Sequence, residues 1–124
     1  MIRGNGVDIV DLRRFREMGA PRLDRLAKRI LTVTEYTDFL TTPLLLQHRC
    51  LAKYWAVKEA VSKSFGTGIR GNVAWKNIEM RKTHLGQPRI YFQSILYHPG
   101  QVCHVSVSHD GDYLIAYAIL EHVY

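Results

Sequence analysis

The sequence predicts an α+β fold in which helices pack on one side of a mainly antiparallel sheet. Three observations lead to this prediction. The chain begins with a β-type segment, its middle carries apolar residues at helical spacing, and its last part holds two pairs of strand-like segments around turns. No repeat, low-complexity tract or Ser/Gly linker interrupts this order. With 124 residues, 47% of them hydrophobic, we expect a single domain spanning residues 1–124.

The N-terminal segment Met1–Val10 predicts a strand, because isoleucine and valine are good β-formers. Gly4 and Gly6 within it allow either close approach of another backbone or local bending. Two helices are predicted next, at Arg13–Met18 and Arg22–Leu31, where apolar residues recur at helical spacing between basic ones. The proline that precedes Arg22 suits a first helical turn.

A short third helix is predicted to begin with Thr34 as its N-cap and to stop before Pro43. The longest helical pattern then runs from about Leu45 to Phe65. Gly66 and the glycine two residues later follow it, where a C-terminal cap is expected.

The remaining chain predicts two antiparallel strand pairs. The first pair flanks the turn Leu85–Pro88, and the second flanks Asp110-Gly111, a dipeptide typical of tight hairpins. The four predicted strands are Ile78–Lys82, Arg89–Gln93, Val102–Ser108 and Tyr113–Leu120.

Composition restricts the partners and the compartment without identifying either. Seventeen lysines and arginines against 11 acidic residues give a formal charge of +6, which favours an anionic partner: RNA, DNA, a membrane surface, a nucleotide cofactor or an acidic protein. No apolar run is long enough to span a bilayer and no secretory signal is expected, so the cytosol is predicted. Cys50 and Cys103 are expected to be buried small hydrophobes rather than a disulfide scaffold.

Glu59 and Lys63 stand one helical turn apart near the end of the long predicted helix. One interpretation is an ordinary surface ion pair worth about 0.2–0.5 kcal/mol. The other is a phosphate site, because Gly66-Thr67-Gly68 behind the helix offers backbone amides to a ligand. The segment is not a P-loop, which has another glycine spacing.

Asp8 and His109 are the other candidate site residues. Mg²⁺ takes one or two carboxylates and completes its shell with water and phosphate oxygens, and Asp8 with Glu59 supplies that pair if the fold brings them together. A turn or capping role for Asp8 is the alternative. His109 ends a predicted strand, where it either binds a ligand or makes a turn hydrogen bond.

Three segments of the chain, in order, resemble the holo-[acyl-carrier-protein] synthases, a family of 4'-phosphopantetheinyl transferases. They are GNGVDIVDL at Gly4–Leu12, LAKYWAVKEAVSKSFGTG at Leu51–Gly68 and VSVSH at Val105–His109. The resemblance extends over nearly the whole chain. It implies Mg²⁺-dependent transfer of 4'-phosphopantetheine from coenzyme A to a serine of apo acyl carrier protein, with release of adenosine 3',5'-bisphosphate.

The resemblance also implies a role for each candidate residue. Asp8 and Glu59 would hold the metal against the diphosphate, and Lys63 and His109 would lie at the phosphates. The remaining expected contacts to coenzyme A come from Arg49, Lys53, Gly66 and Gly68. The base that takes the serine proton is open, with a metal-bound water and a carboxylate such as Glu59 as alternatives.

Carrier docking and assembly are further implications of the resemblance. Acyl carrier proteins are acidic, and Arg14 matches a position that the family uses for carrier docking, with Arg22 and Arg25 as additional candidates. Small members of the family form homotrimers with active sites between subunits. Neither a nucleic acid nor a membrane is expected as a partner.

Two residues depart from the family pattern. Tyr54 replaces a usual arginine, which puts one cofactor phosphate contact in doubt unless Lys53 replaces it. Asp110 stands where a small hydroxyl residue is common. Two alternatives therefore stay open: a relative that binds coenzyme A without transfer, and a small basic nucleic-acid-binding domain, although Phe15 is the one aromatic residue of its basic helices.

Overall fold

The computed structural model describes residues 1–123 and contains four α-helices and five strands in that range. None of these helices has the length and apolar character needed to cross a bilayer. In chain order the elements are β1 (Ile2–Asp11), α1 (Leu12–Arg16), α2 (Ala20–Ile30), α3 (Val33–Thr41), α4 (Gln47–Ser64), β2 (Ile78–Lys82), β3 (Pro88–Phe92), β4 (Gln101–Asp110) and β5 (Tyr113–His122), with 3₁₀ turns at Leu44–Leu46 and Trp75–Asn77.

The strands form two antiparallel sheets, which confirms the predicted fold class. One sheet has the order β1-β5-β4, and the other is the β2-β3 hairpin. In the larger sheet Asp8 and Val107 both pair with Ala116, from opposite sides. β1 and β4 are therefore two strand spacings apart, roughly 10 Å. Asp8 and His109 consequently lie on opposite edges of the same sheet.

Helix α4 is central to the core and is buried on most of its circumference. The sheet packs against it on one side, and α1, α2, α3 and β2 pack around the others. Burial on this many sides goes beyond the single apolar stripe of a surface helix, because α4 has packed elements on several sides. Its buried residues are Leu51, Ala52, Tyr54, Ala56, Val57, Lys58, Ala60, Val61, Ser62 and Ser64.

The glycines of β1 bring the strand's backbone against the backbone of α4, which is the first of their two predicted roles. A Cβ atom at Gly4 would lie 2.1 Å from the carbonyl oxygen of Ser64, and one at Gly6 would lie 2.0 Å from that of Ala60. Any side chain there would force the strand and the helix apart. This contact determines how closely Asp8, two residues after Gly6, approaches α4.

Several predicted helix boundaries were wrong. The N-cap of α3 is Thr32 rather than Thr34, because Glu35 stands three residues after Thr32 and the two form a reciprocal capping box. α4 begins at Gln47, after a 3₁₀ turn that follows Pro43. α1 begins and ends earlier than predicted because Asp11 caps it, its carboxylate accepting the backbone N–H of Arg13.

Candidate active site

The structure brings Asp8, Glu59 and Lys63 together where β1 crosses the C-terminal part of α4. Asp8 shares the inner face of β1 with Gly6, so strand alternation directs it toward the helix. Lys63 Nζ lies 3.3 Å from Asp8 Oδ1 and donates to the carbonyl oxygen of Val7 at 2.9 Å. No ion pair between Glu59 and Lys63 occurs within residues 1–123, so the interpretation as a surface pair is wrong.

This cluster holds more negative charge than its own contacts satisfy. Asp8 Oδ2 is buried and has no hydrogen-bond partner among residues 1–123. Burial raises the pKa of Asp8 although Lys63 opposes the shift. The pKa of Glu59 is also raised, first by burial and then by the charge of Asp8, which shows that the two carboxylates are close enough to repel.

The two carboxylates suit a hard cation. In the described part of the chain no group of three or more His, Cys, Asp or Glu side chains could hold a metal. Mg²⁺ does not need such a group, because it keeps several waters and binds one or two carboxylates plus substrate phosphates. An unpartnered buried oxygen on Asp8 beside Glu59 fits that requirement.

The raised pKa of Asp8 predicts a stability change with a definite sign. A raised folded-state pKa contributes stability that is present below the ordinary value of 3.8 and lost as the pH rises through the folded-state pKa. We therefore expect Asp8→Asn to raise the Tm of the metal-free protein at neutral pH, with the gap closing in acid. Thermal unfolding of the wild type and of Asp8→Asn in the presence of a chelator, from neutral to acid pH, measures this difference in Tm.

Asp24→Asn is the matched control for this prediction. A hydrogen bond from Tyr36 lowers the pKa of Asp24, so its ionised form stabilises the fold and its loss should lower the Tm at neutral pH. The same Tm change in both variants would contradict the assignment of unrelieved charge to Asp8.

The glycines behind α4 cap the helix rather than present free amides. Gly66 and Gly68 have φ values of +83° and +70°, which favour glycine. The N–H of Gly66 donates to the Lys63 carbonyl at 2.9 Å, and that of Gly68 to the Ser62 carbonyl at 3.2 Å. The sequence-based expectation that both amides are open to phosphate is wrong, and the glycines instead shape the loop that carries Thr67.

Arg49, Lys53 and His109 meet in a separate cavity of about 360 Å³ beside the first half of α4. Arg49 Nη2 lies 3.4 Å from His109 Nε2. Ten residues separate Arg49 from Glu59, about 15 Å along the helix axis. Within a single chain, the cavity and the carboxylate cluster are therefore separate. Lys82 also lines the cavity, and sequence reasoning missed it although it shares a strand face with buried Met80.

The two departures from the family pattern have different surroundings. Tyr54 is buried, and its hydroxyl donates to Asp38 Oδ2 at 2.7 Å, so this side chain is part of the core and its pKa is raised by burial. Asp110 is exposed at the end of β4. Lys53, the neighbour of Tyr54, is the side chain that carries positive charge to the cavity.

The basic residues of α1 and α2 divide into paired and unpaired groups. Arg13 binds Asp11 at 2.8 Å, and Arg16 lies 3.5 Å from Asp112. Within residues 1–123, four exposed arginines of these two helices make no ion pair. They are Arg29 and the predicted docking residues Arg14, Arg22 and Arg25. The charge of Arg14 acts on Asp8, so this predicted docking residue lies near the carboxylate cluster.

The chain matches known proteins over nearly all its length. The holo-[acyl-carrier-protein] synthase of Bacillus subtilis (strain 168) is 37% identical over 121 residues, covering 98% of this chain and 97% of the relative. The crystal structure of the Neisseria meningitidis synthase superposes with a TM-score of 0.82 at 33% identity, covering 98% of this chain and 99% of that one.

A second solved structure contains a ligand. The Bacillus anthracis synthase, solved in complex with CoA (3',5'-ADP), gives a TM-score of 0.84 at 32% identity and covers 98% of this chain and 97% of that one. The model of the 4'-phosphopantetheinyl transferase superfamily matches residues 4–118. On the strength of this match and of the full-length relatives, the chain belongs to the 4'-phosphopantetheinyl transferase superfamily.

Proposed function

We propose that this protein transfers 4'-phosphopantetheine from coenzyme A to a serine of an apo acyl carrier protein and releases adenosine 3',5'-bisphosphate. The serine Oγ–phosphorus bond forms as the phosphorus–oxygen bond to the bisphosphate leaving group breaks, and the serine hydroxyl loses its proton. The observation that carries the proposal is the buried, unpartnered oxygen of Asp8 beside Glu59 and Lys63. The proposed enzyme is one domain, residues 1–124, and acts in the cytoplasm.

Asp8 and Glu59 are the residues that would hold Mg²⁺. When bound there, Mg²⁺ neutralises the diphosphate and polarises the attacked phosphorus. Lys63 donates to phosphate oxygens and offsets charge on the leaving group, a role that phosphoryl transfer requires more than covalent catalysis. The Lys63 ammonium already faces Asp8, so a small movement of this side chain would bring it to a phosphate oxygen bound beside Asp8.

Arg49, Lys53 and His109 form the second part of the proposed coenzyme A site, and Gly66 and Gly68 shape the loop behind the first part. A site built from neighbouring subunits accounts for the separation of the two parts within one chain. A homotrimer of the family type would supply it.

The outer face of the large sheet supports self-association. On β1 and β5 this face presents a continuous group of exposed apolar and aromatic side chains, and such patches mark interaction surfaces in proteins of this size. The side chains of this patch are Val7, Ile9, Tyr113, Ile115 and Tyr117.

Sedimentation equilibrium measures the assembly directly, and a monomer at working concentration would contradict self-association.

The mass of the carrier tests the function. Incubated with Mg²⁺ and coenzyme A, the protein should convert apo carrier to a species heavier by one phosphopantetheine. Unchanged mass in several carriers, with folded protein that still binds coenzyme A, would favour a relative that binds without transfer. Salt-dependent binding to plain oligonucleotides with no effect of coenzyme A would favour the nucleic-acid alternative.

Arg14→Glu should chiefly weaken carrier binding. Arg14 is exposed and makes no ion pair within residues 1–123, and its charge reaches Asp8, so it would attract an acidic carrier to the carboxylate cluster. We expect the KM for the carrier to rise about tenfold or more, with little change in the KM for coenzyme A.

Arg29→Glu is the charge-matched control for carrier docking, since Arg29 is an exposed residue in the last turn of α2. It changes the net charge of the protein equally. Equal effects of the two reversals on the carrier KM would show that overall charge, rather than a docking position at Arg14, governs the encounter.

A further inference from the structure

Lys58 ties three other segments of the chain to the turn of α4 that carries Glu59. Its ammonium has three protons, and each has an acceptor: Glu35 Oε1 at 2.6 Å, the carbonyl of Ile30 at 2.7 Å and the carbonyl of Trp75 at 2.8 Å. These acceptors lie in α3, at the end of α2 and in the 3₁₀ turn before β2. We call these three contacts the Lys58 anchor. Together they fix the position of Lys58 and the rotation of α4 about its axis.

Glu35 extends the anchor to β2. Its Oε1 also accepts the N–H of Thr32 at 2.9 Å, and its Oε2 accepts the N–H of Met80 at 2.7 Å. The side chains of Glu35 and Lys58 are both 0% exposed. A buried ion pair adds little net stability compared with apolar residues of similar volume, because both charges lose their hydration. The pair is therefore better explained by the geometry that it fixes than by added stability.

The carboxylates of Asp8 and Glu59 require such a fixed geometry. The charge of Asp8 reaches Glu59, so the fold must hold the two groups near each other against their repulsion. On the strand side, a Cβ atom at Gly6 would lie 2.0 Å from the carbonyl oxygen of Ala60, so β1 is in backbone contact with α4. On the helix, Lys58 precedes Glu59 by about 1.5 Å along the axis and about 100° around it. A rotation of α4 at this turn would move Glu59 away from Asp8.

We propose that Lys58, held by Glu35, is a positioning residue for the divalent-ion site and fixes the rotation of α4 so that Glu59 faces Asp8. The inference rests on the proposed function for the identity of the site. Lys58 is buried and acts through the backbone of α4 rather than by touching the ion. Its removal should therefore lower ion affinity even in a protein that stays folded.

Binding of Mn²⁺, followed by water-proton relaxation, tests the role of Lys58 without relying on activity. Lys58→Met combined with Glu35→Gln removes both charges, so neither is left buried without compensation. The amide oxygen at position 35 can still accept the N–H groups of Thr32 and Met80. This double variant should stay folded and bind Mn²⁺ roughly 10–100-fold more weakly, the loss typical when the support of a metal ligand is removed. A wild-type Kd for Mn²⁺ in the folded double variant would overturn the role of Lys58.

Leu23→Ala is the control for stability. Leu23 is a buried residue of α2 and takes no part in the hydrogen bonds of Lys58. Its truncation leaves a cavity and lowers the urea midpoint, but the Kd for Mn²⁺ should stay unchanged. A similar weakening of Mn²⁺ binding in Leu23→Ala and in the double variant would show that affinity follows overall stability, which would overturn a positioning role.

Amide hydrogen exchange of the wild-type protein gives a second test, which decides the matter if the double variant does not fold. Because the ion would bind only when Glu59 faces Asp8, Mg²⁺ should suppress the openings that break the Lys58 anchor. The N–H of Met80, which donates to Glu35, reports these openings. Its exchange should slow about tenfold or more at Mg²⁺ concentrations well above the Kd, and unchanged exchange would contradict the inference.

The outcomes separate this inference from the proposed function. Wild-type protein that binds no Mn²⁺ would contradict both the ion site and the role of Lys58. A failed carrier mass assay with normal Mn²⁺ binding would contradict transfer alone, and the effect of Lys58 on the Kd for Mn²⁺ would still be measurable.

Discussion

Replacing Glu59 by Gln should abolish Mg²⁺-dependent transfer while leaving the protein folded. The amide keeps the shape of the side chain but removes one of the two carboxylates that suit the cation. Metal stabilisation of a phosphoryl-type transition state is worth several kcal/mol, and 1.36 kcal/mol is a tenfold change in rate, so kcat should fall by about 10²–10³ or more.

The measurement is initial rate against Mg²⁺ concentration at saturating carrier and coenzyme A. Glu17→Gln, a change at an exposed glutamate just after α1, is the control and should retain the wild-type kcat. Wild-type turnover by Glu59→Gln at every Mg²⁺ concentration would contradict the metal assignment. Binding of Mn²⁺, followed by its paramagnetic relaxation, gives a readout independent of activity.

Lys58→Met should cause the largest loss of stability of any single lysine change in the described chain. Lys58 is fully buried, and its ammonium donates to Glu35 Oε1 at 2.6 Å and to the carbonyls of Ile30 and Trp75 at 2.7 and 2.8 Å. Removing one partner of a buried ion pair typically costs about 3–5 kcal/mol, because the other charge is left without compensation. This is a large fraction of the total stability of about 5–15 kcal/mol expected of a small domain.

Lys28→Met provides the contrast. Lys28 also pairs with a carboxylate, Asp24 at 3.1 Å, but both groups are largely exposed and one helical turn apart. Such pairs contribute about 0.3–0.5 kcal/mol, so the urea midpoint should hardly move. Similar midpoints for the two variants would show that Lys58 does not hold the helices together. A Lys58→Met protein that accumulates only unfolded agrees with the expectation.

The strands, and the placement of Val107 and His109 on one face of a strand, were predictable because their causes are local. Alternation places Val107 and His109 on one face of β4, and both line the same cavity. The glycines of β1 predicted close backbone approach, which the structure confirms. The hairpin at Asp110-Gly111 followed from turn chemistry, with Gly111 at φ +57°.

What the sequence did not predict depends on long-range packing. A lysine next to a candidate ligand looks like a solvated residue, yet Lys58 is in the core because Glu35 and two backbone carbonyls converge on it from other elements. Lys63 turned to Asp8, 55 positions away in sequence, rather than to Glu59 one turn away. Neither partner can be chosen from spacing along one helix, because the competing group comes from another part of the chain.

The backbone contact at Gly4 and Gly6 also limits how the ion site can change. At both glycines the nearest atom of α4 is a backbone carbonyl oxygen, so no flexible side chain can adjust the distance between the strand and the helix. Repacking of the core elsewhere leaves that gap unaltered, and substituting either glycine can only widen it. The proposed divalent-ion site would therefore change its preference among ions through the chemistry of its ligating groups rather than through the distance between strand and helix.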